Sequence, residues 1–201
     1  ERVEILEGPQ GTLYGAGSLG GIIRLVPRAP EPGETSLVVQ GGASAIANGE
    51  PGGDAHATMN LPLAGETATL RLNLDAATLG GYIDKPAIGR RNVNRTAILS
   101  GRAALRVDIA PDWQADVILL GQDTEADDSQ YADRNGTRPL ESSAQVAEGS
   151  RAQYGQAQLV VSGRIGDIRV KSSTGIGAQD LTERYELIGK TMPAPAEPVT
   201  A

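Results

Sequence analysis

Three groups of residues in this chain have types and spacings that could perform chemistry. The first is a G-x-G-x-x-G pattern formed by Gly15, Gly17 and Gly20. In dinucleotide-binding proteins this pattern opens a helix whose amino end holds a pyrophosphate. Here it leads through a further glycine into Ile22-Ile23-Arg24-Leu25-Val26, a run with strand propensity. We therefore expect these glycines to serve tight turns and close backbone packing rather than a nucleotide.

The second group is a serine and the single histidine of the chain. Ser18 lies in A-G-S-L-G, which departs from the hydrolase nucleophile elbow, and the elbow also requires a following helix and a histidine base. His56 lies in a strand-like pattern. It is interpreted as a polar residue that is exposed to solvent or, if the strands form a barrel, faces the lumen of that barrel. The chain has no cysteine, which excludes thiolate catalysis, disulfides and cysteine-bound metals. The sequence therefore predicts neither an enzyme nor a cofactor.

The third group is an acidic segment, 123–148, with seven carboxylates against two arginines and hence a net charge of −5. Asp123, Glu125 and Asp127 have the spacing of the first three ligands of an EF-hand loop. The sixth position of that loop is Asp128, where Gly is required, and the twelfth is Arg134, where Glu is required, so an EF-hand is excluded. Two alternatives stay open. One is a solvated loop, and the other is a loose Ca²⁺ site built from Asp123, Glu125, Asp127 and Asp128.

Charge and composition exclude further classes of protein. The chain of 201 residues has a net charge of −7 and its cations are scattered, which argues against a nucleic-acid partner. No apolar run reaches the ~18 residues that a membrane helix requires. Only 3% of the residues are aromatic, so a core must come from Leu, Ile, Val and Ala.

Alternation of apolar and polar residues dominates the chain from Glu34 onward. In the clearest case Leu70, Leu72 and Leu74 point one way and Arg71 and Asn73 the other. Such alternation is typical of strands that bury one face. It predicts an all-β fold with seven strands, at about 35–43, 54–62, 67–79, 95–109, 113–123, 152–165 and 168–178.

The connections between these strands alternate in length. Short turns are expected at 63–66, 110–112 and 166–167, and long loops at 44–53, 80–94 and 124–151. Every short turn then falls at one end of the sheet, as in outer-membrane barrels with short periplasmic turns and long extracellular loops. Trp113, Tyr82 and Tyr154 would lie in the aromatic girdles. A soluble β-sandwich binding module remains the alternative, whereas a repeat solenoid would need evenly spaced repeats.

The beginning and end of the chain differ from this strand series. Residues 1–30 hold two short strand runs joined by a turn-rich loop, and the prolines in 31–34 indicate a linker. Residues 35–190 carry the strand series, and the Pro- and Ala-rich tail 191–201 is expected to be disordered.

Residues 1–30, ERVEILEGPQGTLYGAGSLGGIIRLVPRAP, closely resemble the last segment of the plug domain of TonB-dependent outer-membrane receptors. That segment typically reads E-R-[IV]-E-V-L-[RKE]-G-P, then Q-[GS]-T-L-Y-G, then G-G-x-I. The residues carried over are Glu1, Arg2, Glu4, Gly8, Pro9, Gly11, Tyr14, Gly15, Gly20 and Gly21. The segment LRLNLDAATLGGYID is similar to the third strand and loop of many of these receptors. The resemblance implies a piece of a receptor: the end of the plug and about seven strands of a 22-stranded transmembrane barrel.

The resemblance also implies roles for polar residues on the strands. A plugged barrel needs hydrated contacts between plug and wall, partly to plug charges such as Arg2, Glu4 and Arg24. The lumen-facing candidates are Arg71, Asp75, Arg102, Arg106, Asp108 and Asp116. The alternative is that these side chains only solvate the lumen.

The implied function is energised uptake of a scarce nutrient across the bacterial outer membrane. The implied partners are a TonB-type energy transducer, a small-molecule nutrient and outer-membrane lipid. A ferric siderophore-type chelate is the first expectation for the cargo, and cobalamin or an oligosaccharide is the alternative.

Overall fold

The computed structural model describes residues 2–11, 20–134 and 138–186. Within these ranges the chain forms nine β-strands and a short 3-10 helix at Pro86–Ile88. The strands are β1 (Arg2–Glu7), β2 (Gly21–Val26), β3 (Ser36–Ser44), β4 (Gly52–Pro62), β5 (Ala68–Leu79), β6 (Thr96–Ala110), β7 (Trp113–Ala126), β8 (Ser150–Ile165) and β9 (Ile168–Glu183). The all-β prediction is confirmed.

Strands β3 to β9 form one antiparallel sheet in which each strand pairs with the next along the chain. The seven predicted strands match these elements to within a few residues. Because the strands follow in sequence, the connections alternate between the two ends of the sheet. The turns 63–67, 111–112 and 166–167 lie at one end and the loops 45–51, 80–95 and 127–149 at the other.

The two short strands near the start of the chain form a separate antiparallel hairpin. Its register pairs Val3 with Leu25 and Ile5 with Ile23. Gly20 leads directly into strand β2, as expected for a turn glycine and unlike a dinucleotide loop. Glu1, Tyr14, Gly15, Gly17, Ser18 and the tail 191–201 lie outside the described residues.

The two faces of the seven-stranded sheet differ in chemistry. The register aligns Leu72 with Met59 on one side and Ala103 on the other, and continues to Leu119 and Ala157. This row belongs to the face that we call the apolar face. Exposed leucines, valines and isoleucines extend across it, including Leu37, Val39, Leu74, Leu119 and Ile176. Such an apolar expanse on a sheet requires a covering partner.

The aromatic residues divide between the faces. Trp113 belongs to the apolar face beside the short turn 111–112 and packs over Gly163, where a Cβ atom would lie 2.3 Å from the indole. Tyr154 pairs with Gln122 on the opposite, polar face, and its hydroxyl donates to Gln156. The prediction that Tyr154 is a girdle aromatic is therefore wrong. The backbone alternation around it turns its ring to the other side.

Within the described ranges, no helix combines the length and the apolar character needed to cross a membrane.

Candidate functional site

The polar face of the sheet gathers the charged residues that the sequence singled out. Six charged residues of β5, β6 and β7 lie on this face, because side chains alternate along each strand and the register aligns the strands. They are Arg71, Asp75, Arg102, Arg106, Asp108 and Asp116.

Arg106 and Asp116 form a two-point ion pair on this face. They are directly opposite across the β6–β7 ladder. Nε of Arg106 donates to Oδ1 of Asp116 at 2.7 Å, and Nη2 donates to Oδ2 at 3.1 Å. This two-point geometry fixes the plane of the guanidinium. Beside it, Gln114 donates to the Asp108 carboxylate at 3.3 Å.

The segment that links the hairpin to the sheet lies against this face. Asn60 of β4 is fully buried beneath it. Its Oδ1 accepts the N–H of Glu31 at 3.0 Å, and its Nδ2 donates to the carbonyl oxygens of Glu31 at 2.9 Å and Glu34 at 2.5 Å. One amide side chain thereby satisfies three main-chain groups of the linker. The sequence around Asn60 predicts only that this residue lies on a strand. Its position in the sequence gave no sign of its contact with the linker.

Two arginines extend the docking toward the hairpin. Nη1 of Arg102 donates to the carbonyl oxygen of Arg28 at 3.4 Å, and Nη1 of Arg106 donates to that of Pro30 at 3.5 Å. The contacts thus go to main-chain carbonyls. The charges of the β1–β2 hairpin pair with one another, because Glu4 accepts from Arg2 at 2.6 Å and from Arg24 at 3.0 Å. The expectation that Arg2, Glu4 and Arg24 contact the charged residues of the polar face stays a prediction.

His56 has a carboxylate on each ring nitrogen. Nδ1 lies 2.7 Å from Oδ1 of Asp75, and Nε2 lies 3.0 Å from Oδ2 of Asp54. Because both nitrogens are occupied, the ring is placed to link β4 and β5 as an ion-pair partner. It is not placed as the base of a serine nucleophile, which needs one nitrogen free to accept a proton.

At the long-loop end, loops 80–95 and 127–149 pack into one unit, which we call the loop cap. Asp84 donates its N–H to the carbonyl oxygen of Leu140, and its own carbonyl accepts the N–H of Ser142. Ile83, Val93 and Ala144 form a small apolar core. The long loops are therefore ordered against one another.

Lys85 is the centre of this cap and is fully buried. Its Nζ donates to Oδ1 of Asp128 at 2.6 Å, to Oε2 of Glu148 at 3.1 Å and to the carbonyl oxygen of Val146 at 2.8 Å. The three donors of an ammonium group are thereby all used. Asp128 also accepts the N–H groups of Ser129 and Glu148, so this cluster connects both loops.

A pair of amides holds the base of the cap. Oδ1 of Asn94 accepts the N–H groups of Tyr82 and Ile83, and Asn94 donates to Gln130 at 2.7 Å. Gly81 permits the close approach, because a Cβ atom there would lie 1.9 Å from the carbonyl oxygen of Asn92. The sequence shows only a glycine pair followed by a long loop, so this network was not predicted.

The four residues of the suggested Ca²⁺ site are not brought together. Asp123 lies on β7 and pairs with Arg151 at 2.6 Å, while Asp128 is matched by Lys85. Across the described ranges, no group of three or more His, Cys, Asp or Glu residues is placed to hold a metal ion. The solvated-loop alternative also fails at Asp128, which is 1% exposed and paired with Lys85.

The chain matches no model of a known protein family.

Proposed function

We propose that this protein is a TonB-dependent outer-membrane receptor that takes up a ferric siderophore-type chelate. In this proposal β1 and β2 belong to the end of the plug, and β3 to β9 belong to the wall of a transmembrane β-barrel. A TonB-type energy transducer would drive uptake by deforming the plug.

The observation that carries the proposal is the combination of two asymmetries in the sheet. One face is apolar across seven strands, and all long loops lie at one end. A barrel wall that separates lipid from a hydrated lumen needs one apolar face. A barrel wall in the outer membrane has its short turns at the periplasmic end and its long loops at the other end. A soluble sandwich would cover the apolar face with a second sheet.

The polar face supports the proposed plug contact. The linker is held by Asn60, Arg102 and Arg106 through hydrogen bonds to main-chain groups. The contacts of Arg102 and Arg106 are long, at 3.4 Å and 3.5 Å, and a hydrogen bond contributes only about 0.5–1.5 kcal/mol net. They suit a plug that must be held and yet moved.

The loop cap supports a receptor role on the outer side. Its inner ion cluster connects two loops by hydrogen bonds, and a surface organised before binding suits ligand recognition better than separate loops. Its acidic segment favours a neutral or cationic cargo over a free anion, because like charges repel an approaching ligand. Cobalamin or an oligosaccharide would use the same mechanism.

Two measurements test the proposal. The protein should fractionate with the outer membrane and migrate faster in unheated than in heated SDS gels, as closed barrels do. A deletion strain should lose growth on ferric chelates and regain it with the gene. A monodisperse soluble protein that unfolds cooperatively would overturn the membrane assignment, and normal growth on iron with lost growth on a glycan would overturn the cargo.

A further inference from the structure

A polar cavity lies between residues 25–28 and the polar face of the sheet. Its volume is about 700 Å³. This lies within the range of roughly 300–1,000 Å³ that small-molecule sites occupy. The cavity is distinct from the loop cap, which is formed by other residues at the long-loop end.

Arg71 lines this cavity and is 9% exposed. Among residues 2–11, 20–134 and 138–186, its guanidinium has no hydrogen-bond or ion-pair partner. Its guanidinium nitrogens are not among the fully buried polar atoms that lack a partner, so its N–H donors are open to the cavity. An oxyanion in the cavity would supply the missing acceptors in two-point geometry.

The nearest carboxylates of the linker are already engaged. Glu31 accepts from Nε of Arg28 at 2.5 Å. The pKa of the Glu31 carboxyl is lowered, chiefly by a hydrogen bond with Glu34 and, against the cost of burial, by the charges of Arg28 and Arg71. Arg71 therefore interacts with the carboxylates of Glu31 and Glu34 through its charge alone, without a hydrogen bond.

The other walls of the cavity carry both charge and neutral polar groups. Arg28 and Arg102 bring the guanidiniums to three, against one carboxylate, Asp75, which is bound to His56. The amides of Asn73 and Gln122 also line it. Amides donate to and accept from hydroxyl groups, so this lining suits a hydroxylated molecule with one anionic end.

We propose that this cavity binds a small hydroxylated oxyanion, with its carboxylate or phosphate on Arg71 and its hydroxyls on the amide side chains. The inference concerns a site that the uptake proposal does not require. Binding is measured on the isolated protein, so failure of transport and failure of this site are separate results.

The experiment is calorimetric titration of the protein purified from its native cells in detergent. The probes are glucuronate, glucose 6-phosphate and neutral glucose, which share a hydroxylated ring and differ in the anionic group. We expect at least one of the two anions to bind and glucose not to bind. Binding of glucose as tight as that of the anions, or binding of none of the three, would overturn the proposal.

Variants test the role of Arg71 itself. Arg71→Gln should weaken the bound anion at least tenfold, whereas Arg164→Gln, which removes an exposed arginine of β8, should leave it unchanged. Gln122→Glu adds a negative charge to the wall with little change of shape and should weaken the anion several-fold, which keeps the test valid if Arg71→Gln misfolds. Equal affinity in the parent and Gln122→Glu proteins would contradict the site.

Discussion

Nζ of Lys85 lies 2.6 Å from Oδ1 of Asp128, and both side chains are fully buried. The two residues come from different loops of the cap, so this pair closes one loop onto the other. A buried pair of this kind does not by itself make a protein more stable than an apolar pair would. Removing one partner, however, leaves an uncompensated charge.

Lys85→Met should therefore loosen the loop cap. We expect a loss of about 3–5 kcal/mol in its opening free energy, because Asp128 stays buried without its cation. Hydrogen exchange of residues 80–95 measures this opening. The matched control is Arg91→Met, which removes an exposed arginine 3.6 Å from Asp84 and should cost ~1 kcal/mol or less. Equal exchange in both variants would contradict the role of Lys85.

The loop cap should also open in acid. Burial raises the pKa of Glu148, but the N–H of Glu186, Lys85 and Ser129 together lower it below the ordinary value of 4.5. A lowered pKa stabilises the folded form above pH 4.5, and this contribution is lost as the pH falls through the folded pKa. Hydrogen exchange, corrected for its intrinsic pH dependence, should show opening below that range. In Glu148→Gln this acid step should be absent, and an unchanged acid step would contradict the prediction.

Asn60→Ala should release the linker from the sheet. The change removes three hydrogen bonds and leaves the N–H of Glu31 without its partner, at a cost of about 1–3 kcal/mol for that group. Trypsin should then cut after Arg28 faster than in the parent protein. The control is Gln158→Ala, on the same face, whose side chain bonds to Ser173 and to no linker residue among those that the structure describes, and it should leave the rate unchanged. Equal cleavage of all three proteins would count against the docking.

The two faces of β5 should respond differently to the same charge. Leu72→Arg places a cation on the apolar face and should cost about 2–4 kcal/mol if that face meets the bilayer midplane. Asn73→Arg places it on the polar face and should be milder. Unfolding in urea after insertion into lipid vesicles measures both. Equal losses would remove the argument that lipid covers one face.

The strands could be predicted because alternation is a local property. Strands β5 to β8 alternate apolar and polar residues over much of their length, and short turns such as 111–112 interrupt the pattern sharply. The face on which Tyr154 lies could also be predicted from the sequence. Ala157 and Leu159 belong to the apolar face, and because side chains alternate along a strand, Tyr154 must lie on the polar face. The alternation along the strand determines the face of Tyr154, and the closeness of its ring to a long loop does not.

The contacts that make up the site depend on pairs distant in sequence. Asn60 meets Glu31, and Lys85 meets Glu148, only after the sheet and the loop cap have formed. Composition offers no local signal for such pairs. The acidic spacing of 123–128 was misleading for the same reason, because an arginine of β8 and a lysine of another loop neutralise two of its carboxylates.

The most direct test of the proposed receptor is labelling of single cysteines on intact cells. These 201 residues contain no cysteine, so they contribute no background labelling. Cysteine at the exposed Ala47 or Ala87, in the long loops, should react with a membrane-impermeant maleimide. Cysteine at the exposed Ala64, in a short turn, should react only after the outer membrane is permeabilised. Labelling of Ala64→Cys but not of Ala47→Cys or Ala87→Cys on intact cells would contradict the orientation, and equal labelling of all three in a soluble fraction would contradict the membrane barrel itself.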